Sequence, residues 1–432
     1  MHFSWFGAIH LNSNKSIRIR KMRVVLLSQW YPPEQAPIGY MIQELAQALI
    51  ARGYEVTVIT GFPNHPTGIV FGDYRKQWCL KEEVGGVKVW RMYLYTAPYP
   101  SKIRRILTFL SFTFTSAWAL LVHPRYDLLF AVFQPLSVGA TLPVIAKIRR
   151  AKLILNVQDL HPDVPIELGL IRNPVLVRAL RWIEGVGYRS ASGLAVICDQ
   201  FRKHCIARGA HDLNVAVIPN WISLEEIVPG SRDNGFRATL GLSPDHVVVM
   251  FAGTIGLVAG AEIALQAARL LKDTLPNVRF VFVGEGPAVG ELKDFARVDG
   301  LTNVIFAPFQ PRNMLSEVQA ISDISLVTMR HGKGRASVPS KVLGYMAAAR
   351  PVIAAVDADS ETASLVNRAG CGQVIQPEDS AALAGAITSL AADCERRREL
   401  GYSGRRYLEM NYQKEAITGQ YVQFFEGIVV HA

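Results

Sequence analysis

The chain has 432 residues, half of them hydrophobic and 19% charged, which is enough for two domains with full cores and too apolar for extensive disorder. Five cysteines, an odd number at no metal-ligand spacing, argue against a disulfide framework or a zinc site and point to a reducing compartment. The net charge of +10 is unevenly spread: residues 1–220 hold 26 Lys+Arg against 13 Asp+Glu, and residues 221–432 hold 20 against 23. A basic first half without an aromatic-basic RNA motif suits anionic lipid headgroups or a diphosphate-linked ligand better than nucleic acid.

Residues 1–21 carry three isoleucines and the basic cluster Arg18, Arg20, Lys21, but no apolar core long enough for an export signal. Two readings stay open: a poorly ordered extension before a natural start at Met22, or a short amphipathic anchor. Arg23 to Ser28 is the continuous apolar run of a covered parallel strand. Met41, Leu45, Ala48 and Leu49 then repeat at helical spacing, Gly53 ends that helix, and Val56 to Thr60 is the second strand. The loop between them, with Pro32, Pro33, Glu34 and Gly39, lies outside a strand's carboxyl end, where such sheets bind ligands. The turn 61–68, GFPNHPTG, places Asn64 and His65 at another strand end.

From Ile106 to Val122 there are 17 residues without a charge, preceded by Arg104-Arg105, at the lower limit for crossing a bilayer. Five Ser or Thr residues within it, and a return to strand at Tyr126 to Phe133, favour a core or interfacial helix of the first domain. The strand at Lys152 to Val157 leads into QDLHPDVP, which puts Asp159, His161 and Asp163 at a sheet edge. Strands at 194–199 and 215–221 complete this half, and residues 223–246 have the composition of a linker.

The pattern restarts at Val247 to Gly256, a buried strand running into a glycine turn. After the strand Val278 to Val283, Gly284, Gly286 and Gly290 resemble a dinucleotide pattern only superficially, because no ribose-binding acid ends the next strand. PFQP at 308–311 and the strand 323–329 precede a basic loop with Arg330, His331, Lys333 and Arg335. Pro339 and Ser340 then open a short helix with Lys341 in its first turn, against the helix dipole unless an anion arrives. Backbone N–H groups and these cations together would hold a diphosphate. The Asp-Ala-Asp at 357–359 is read as a loop rather than a metal site, and residues 412–430 form an apolar-striped helix that should cross back onto the first domain.

The stretch 339–354, PSKVLGYMAAARPVIA, resembles the donor-binding segment of family 4 glycosyltransferases, in the branch of colanic-acid and O-antigen assembly that includes fucosamine-type enzymes. That resemblance implies the α/β GT-B fold, two Rossmann-like, doubly wound parallel-sheet domains facing across a cleft. Residues 22–220 would be the acceptor domain, 221–411 the donor domain, and 412–432 the returning helix. It also implies retaining transfer of a sugar from a nucleotide-sugar donor, of UDP-sugar type, with no cofactor and no metal required. The acceptor would be a lipid-linked oligosaccharide of undecaprenyl-diphosphate type, at the anionic inner-membrane surface of the cytoplasm. The donor side would comprise Gly39, Gly253, Thr254, Gly256, Glu285, Gly286, Phe309, Arg335, Pro339, Ser340, Lys341 and Glu361. His161 would contact the donor sugar, Asp159 would orient it or bind the acceptor hydroxyl, and Lys341 would hold the leaving diphosphate. Glu34, Asn64 and His65 would line the acceptor side. Many relatives carry two glutamates where this chain has Ala336 and Gly344, and the glycine turn at 253–256 has no Lys or Arg, so its cations must come from 330–341. A UDP-sugar 2-epimerase of the same fold and a non-catalytic lipid-carrier-binding module are the alternatives.

Overall fold

The computed structural model describes residues 21–430 apart from Gln35, Pro66, Lys76, Tyr99, Pro100, Leu168, Leu257, residues 335–339 and the Lys102 side chain. The expected extension 1–21 thus lies outside the described residues except for Lys21, as do Arg335, Ala336 and Pro339.

Among the described residues the strands form two sheets. The first contains β1 (Arg23–Leu27), β2 (Glu55–Gly61), β3 (Cys79–Val84), β4 (Val87–Met92), β5 (Leu128–Val132), β6 (Lys152–Val157), β7 (Gly193–Val196) and β8 (Val215–Val217), in the order β3-β4-β2-β1-β5-β6-β7-β8. Only β3 runs antiparallel, paired to β4 through Gly85 and Gly86, both at positive φ. The apolar runs of β1, β5 and β6 are buried because helices cover both faces of the sheet. Helices Lys102–Val122, Val138–Arg149, Pro174–Ser190 and Asp199–Ala207 lie on one face. Helix Pro37–Ala51, which buries Ile42, Leu45, Ala46 and Leu49, lies on the other. The returning helix Lys414–Val430 packs beside it through Ile417, Tyr421 and Phe425, and the Tyr421 hydroxyl accepts a hydrogen bond from Asn156 Nδ2 at 3.1 Å.

The second sheet contains β9 (Val247–Ala252), β10 (Val278–Val283), β11 (Val304–Ala307), β12 (Ile324–Thr328), β13 (Val352–Ala355) and β14 (Gly372–Ile375), in the order β11-β10-β9-β12-β13-β14 and parallel throughout. Helices Lys341–Ala347 and Glu361–Ala369 cover one face, and Glu262–Leu271, Val289–Val298 and Ser380–Ala392 the other. Because the strands are parallel, the loops after β9 to β13 all open on the same edge of the sheet.

Candidate active site

On that edge the loops after β9 and β10 are knitted together by backbone alone. Gly253 N–H donates to the Val283 carbonyl at 2.9 Å, Ile255 N–H to Glu285 at 2.9 Å, and Ala288 N–H to Ile255 at 3.2 Å. Gly284 and Gly286 sit at φ +147° and +153°, where a Cβ would come within 2.1 Å of the Gly253 carbonyl and 2.3 Å of the Ile255 carbonyl. This close approach explains the G-x-G spacing without a dinucleotide. Thr254 and Glu285 are left exposed on the edge, and Phe309 is exposed on the turn after β11.

Lys341, the first residue of the short helix, crosses this platform. Its Nζ lies 3.4 Å over the Phe251 ring at the end of β9, and a Cβ on Gly253 would stand 3.9 Å from it. Burial pushes its pKa down to about 7. Ser340 precedes the helix in helical backbone geometry and its side chain makes no capping bond, so the expected serine cap does not form. The basic loop is also arranged differently from expectation, with its described basic side chains engaged by other segments. Arg330 pairs with Glu262 at 2.5 Å and Glu378 at 3.8 Å, His331 with Asp357 at 2.7 Å, and Lys333 donates to the Glu167 carbonyl. The ammonium on the platform is therefore that of Lys341. Gly344, at a family glutamate position, is buried, and a Cβ there would meet Gln319 Nε2 at 3.6 Å and Ile222 Cδ1 at 4.0 Å. Glu361 is tied to Arg368 at 2.7 Å, at the start of a helix capped by Ser360.

The first sheet presents its own carboxyl edge. There His161 follows β6 with its Nε2 buried and without a hydrogen-bond partner among the described residues. Burial pushes its pKa down, against the pull of Asp159 and Glu184, so a neutral imidazole is favoured. Asp159 precedes it by two residues, while Asp163 belongs to a separate ion cluster with Arg181 and His204, at 3.3 and 3.7 Å. Gly39 lies in the first turn of helix Pro37–Ala51, where a Cβ would stand 3.1 Å from Tyr31 Cα, so it allows the helix to pack on its own leading loop. One expectation is corrected. Glu34 is fully buried, not open to an acceptor. Its carboxylate accepts the backbone N–H groups of Asn64 at 2.8 Å, His65 at 2.9 Å and Tyr31 at 3.4 Å. Asn64 and His65 stay partly exposed on the turn that Glu34 anchors. Beyond that turn, sequence reasoning missed a groove of about 540 Å³ lined by Phe62, Tyr74, Arg75, Trp78 and Tyr93.

The two edges face each other. Lys333 reaches across to the Glu167 carbonyl in the segment after His161. Arg312 stacks over the Tyr40 ring at 3.7 Å and lies 3.9 Å from Glu44, while Trp221 Nε1, in the segment joining the two sheets, donates to Glu44 at 2.5 Å.

Two parallel-sheet units opposed at their carboxyl edges, with a returning C-terminal helix, define the GT-B architecture. Solved structures share it. A sucrose-phosphate synthase from Thermosynechococcus elongatus superposes with a TM-score of 0.73 at 18% identity, covering 95% of this chain and all of that one. Alr3699/HepE of Anabaena, solved in complex with UDP-glucose, gives 0.70 at 17% identity, covering 94% and 100%. The family model described as glycosyl transferases group 1 matches residues 234–407, and that of the glycosyl transferase 4-like domain matches residues 38–221. A protein of Escherichia coli (strain K12) named as a colanic acid biosynthesis glycosyl transferase is 27% identical over 94% of this chain and its own full length. The chain belongs to the family 4-like, group 1 glycosyltransferases.

Proposed function

We propose that this enzyme transfers a sugar, with retention, from a nucleotide-sugar donor to a lipid-linked acceptor during assembly of a bacterial surface polysaccharide, at the cytoplasmic face of the inner membrane. The observation that carries the reading is the Lys341 ammonium, held over Phe251 on the glycine platform of a cleft between two sheet edges. A cation whose charge is disfavoured by its surroundings gains most when a diphosphate enters and its own charge grows as the glycosidic bond breaks. Neighbours of this fold bind UDP and UDP-glucose, which supports a UDP-sugar donor. The similarity to the colanic acid enzyme supports the polysaccharide assignment. Lys341 and backbone N–H groups, rather than a resident metal, would meet the phosphate charge.

No glutamate nucleophile is available from the Gly344 position, so same-face attack by the acceptor, assisted by the departing phosphate, accounts better for retention than a covalent intermediate. His161, kept neutral by burial, is suited to hydrogen-bond the donor sugar near the reacting carbon. His161→Ala should lower kcat by about 10²-fold with a smaller change in donor KM, because the bond strengthens as the sugar becomes charged. Steady-state kinetics with the donor varied check this.

The decisive assay supplies UDP-sugars with and without undecaprenyl-diphosphate-linked acceptor and follows UDP release and the anomeric configuration of the product by NMR. Acceptor-dependent release with the donor configuration kept is the expected result. Conversion of the nucleotide sugar without acceptor would establish the epimerase instead, and an inverted product would remove the retaining mechanism.

A further inference from the structure

We propose that the outer surface of helices Lys102–Val122, Val138–Arg149 and Pro174–Ser190 is a docking face for an anionic lipid bilayer, on which the protein lies without crossing it. The inference localises the membrane contact in the reading above and rests on that reading only for its biological purpose.

The three helices sit side by side on one face of the first sheet. The first of them is apolar enough over Ile103–Val122 to span a membrane, yet only 33% of that window is buried. Its exposed apolar side chains are Ile103, Ile106, Leu107, Leu110, Phe114, Trp118, Leu121 and Val122, a single stripe at helical spacing along about 30 Å of helix. The neighbours extend it: Val144 and Ile148 on the second helix, Val175, Leu176 and Trp182 on the third, all exposed. An apolar face of this extent marks an interaction surface.

The opposite side of the first helix is fastened to the sheet, which argues against a transmembrane span. Phe112, Ala119 and Leu120 are buried in the core, and Thr115 Oγ1 donates to the Tyr93 carbonyl at 2.7 Å. Thr113 and Ser137 share a hydroxyl hydrogen bond at 2.7 Å, and Arg149 reaches from the second helix to the Leu121 carbonyl at 3.2 Å. Withdrawing this helix into a bilayer would break those bonds and open the core.

Charge selects the occupant. Exposed Arg104, Arg105, Arg125, Lys147, Arg150 and Arg178 rim or interrupt the apolar stripe. The three helices contain one acidic residue, Glu184, and it is fully buried. A second copy of this chain docked on the same face would set arginine against arginine, whereas phosphate headgroups over acyl chains match both features. The first helix begins on the carboxyl-edge side of β4, so Arg104 and Arg105 lie at its cleft-side end. A membrane bound here would offer headgroups toward the cleft mouth.

The test is co-sedimentation of the full chain with vesicles of phosphatidylcholine alone or mixed with phosphatidylglycerol, beside UDP affinity and oligomeric state. The wild-type protein should bind the anionic vesicles. Leu110→Glu with Phe114→Glu, both at exposed positions, should weaken that binding about tenfold or more, and Arg104→Gln with Arg105→Gln should remove the preference for phosphatidylglycerol. UDP affinity should stay unchanged in both. Vesicle binding indifferent to the Glu pair overturns the proposal. A change of oligomeric state in that variant makes the face a self-association surface, and a joint loss of vesicle and UDP binding makes it part of the core; either result overturns the proposal. Wild-type vesicle binding without any UDP affinity would instead sink the donor reading and leave the docking face standing.

Discussion

Replacing Lys341 with methionine should lower kcat/KM for the nucleotide sugar by about 10²- to 10³-fold while leaving the fold intact, as judged by thermal melting. Methionine keeps an unbranched apolar stem and removes the ammonium that lies over Phe251, so the change isolates charge from shape. The effect should be large because the other described basic side chains of the approach are engaged elsewhere: Arg330 by Glu262, His331 by Asp357, Lys333 by the Glu167 carbonyl. The glycine turn of 253–256 brings no cation of its own. A loss under tenfold would mean that the diphosphate is held by another group.

The second large effect concerns stability and comes from Glu34. Its carboxylate is fully buried and joins two loops thirty residues apart, accepting three backbone N–H groups. Burial raises its pKa to about 7 even though those donors and Arg91 pull it down. The folded state therefore binds a proton more tightly than the unfolded chain. The stability this contributes is complete below the usual carboxylate range and is lost as pH rises through about 7, by roughly 3 kcal/mol. Chemical denaturation from pH 5 to 8 should show that decline in the wild type and a flatter profile in Glu34→Gln, which keeps an acceptor oxygen. Glu34→Leu should cost about 3–5 kcal/mol at either pH, because it strands the backbone N–H groups of Tyr31, Asn64 and His65. A wild-type profile parallel to that of Glu34→Gln would contradict the buried carboxyl.

Much of the architecture was written locally. The apolar runs of β1, β5, β6 and β9 carry their own evidence of double coverage, and Gly53 punctuates the end of the first helix as expected. The β3–β4 hairpin was missed although Val-Gly-Gly-Val at 84–87 is a plain turn signal. Lys341 was legible because a lysine in a first helical turn conflicts with the dipole, a conflict visible without coordinates. The partners of the basic loop were not, since Glu262, Glu378, Asp357 and Glu167 approach it from four other segments. Glu34 failed as an acceptor-side residue for a related reason: its position at a strand end was right, but which way a side chain faces is decided by packing against distant loops. For residues 103–122, composition gave an apolar helix, and only the sheet beneath it shows which side remains uncovered.

The most direct test of the central claim is isothermal titration of UDP into the protein at pH 8, in two buffers of different ionisation enthalpy. At that pH UDP has already lost its last phosphate proton, and Lys341, with its pKa near 7, is mostly neutral until the diphosphate arrives. Capture of the diphosphate by Lys341 predicts uptake of about one proton per UDP bound in the wild type and none in Lys341→Met, which should also bind UDP more weakly. Equal affinity and equal proton uptake in the two proteins would contradict it.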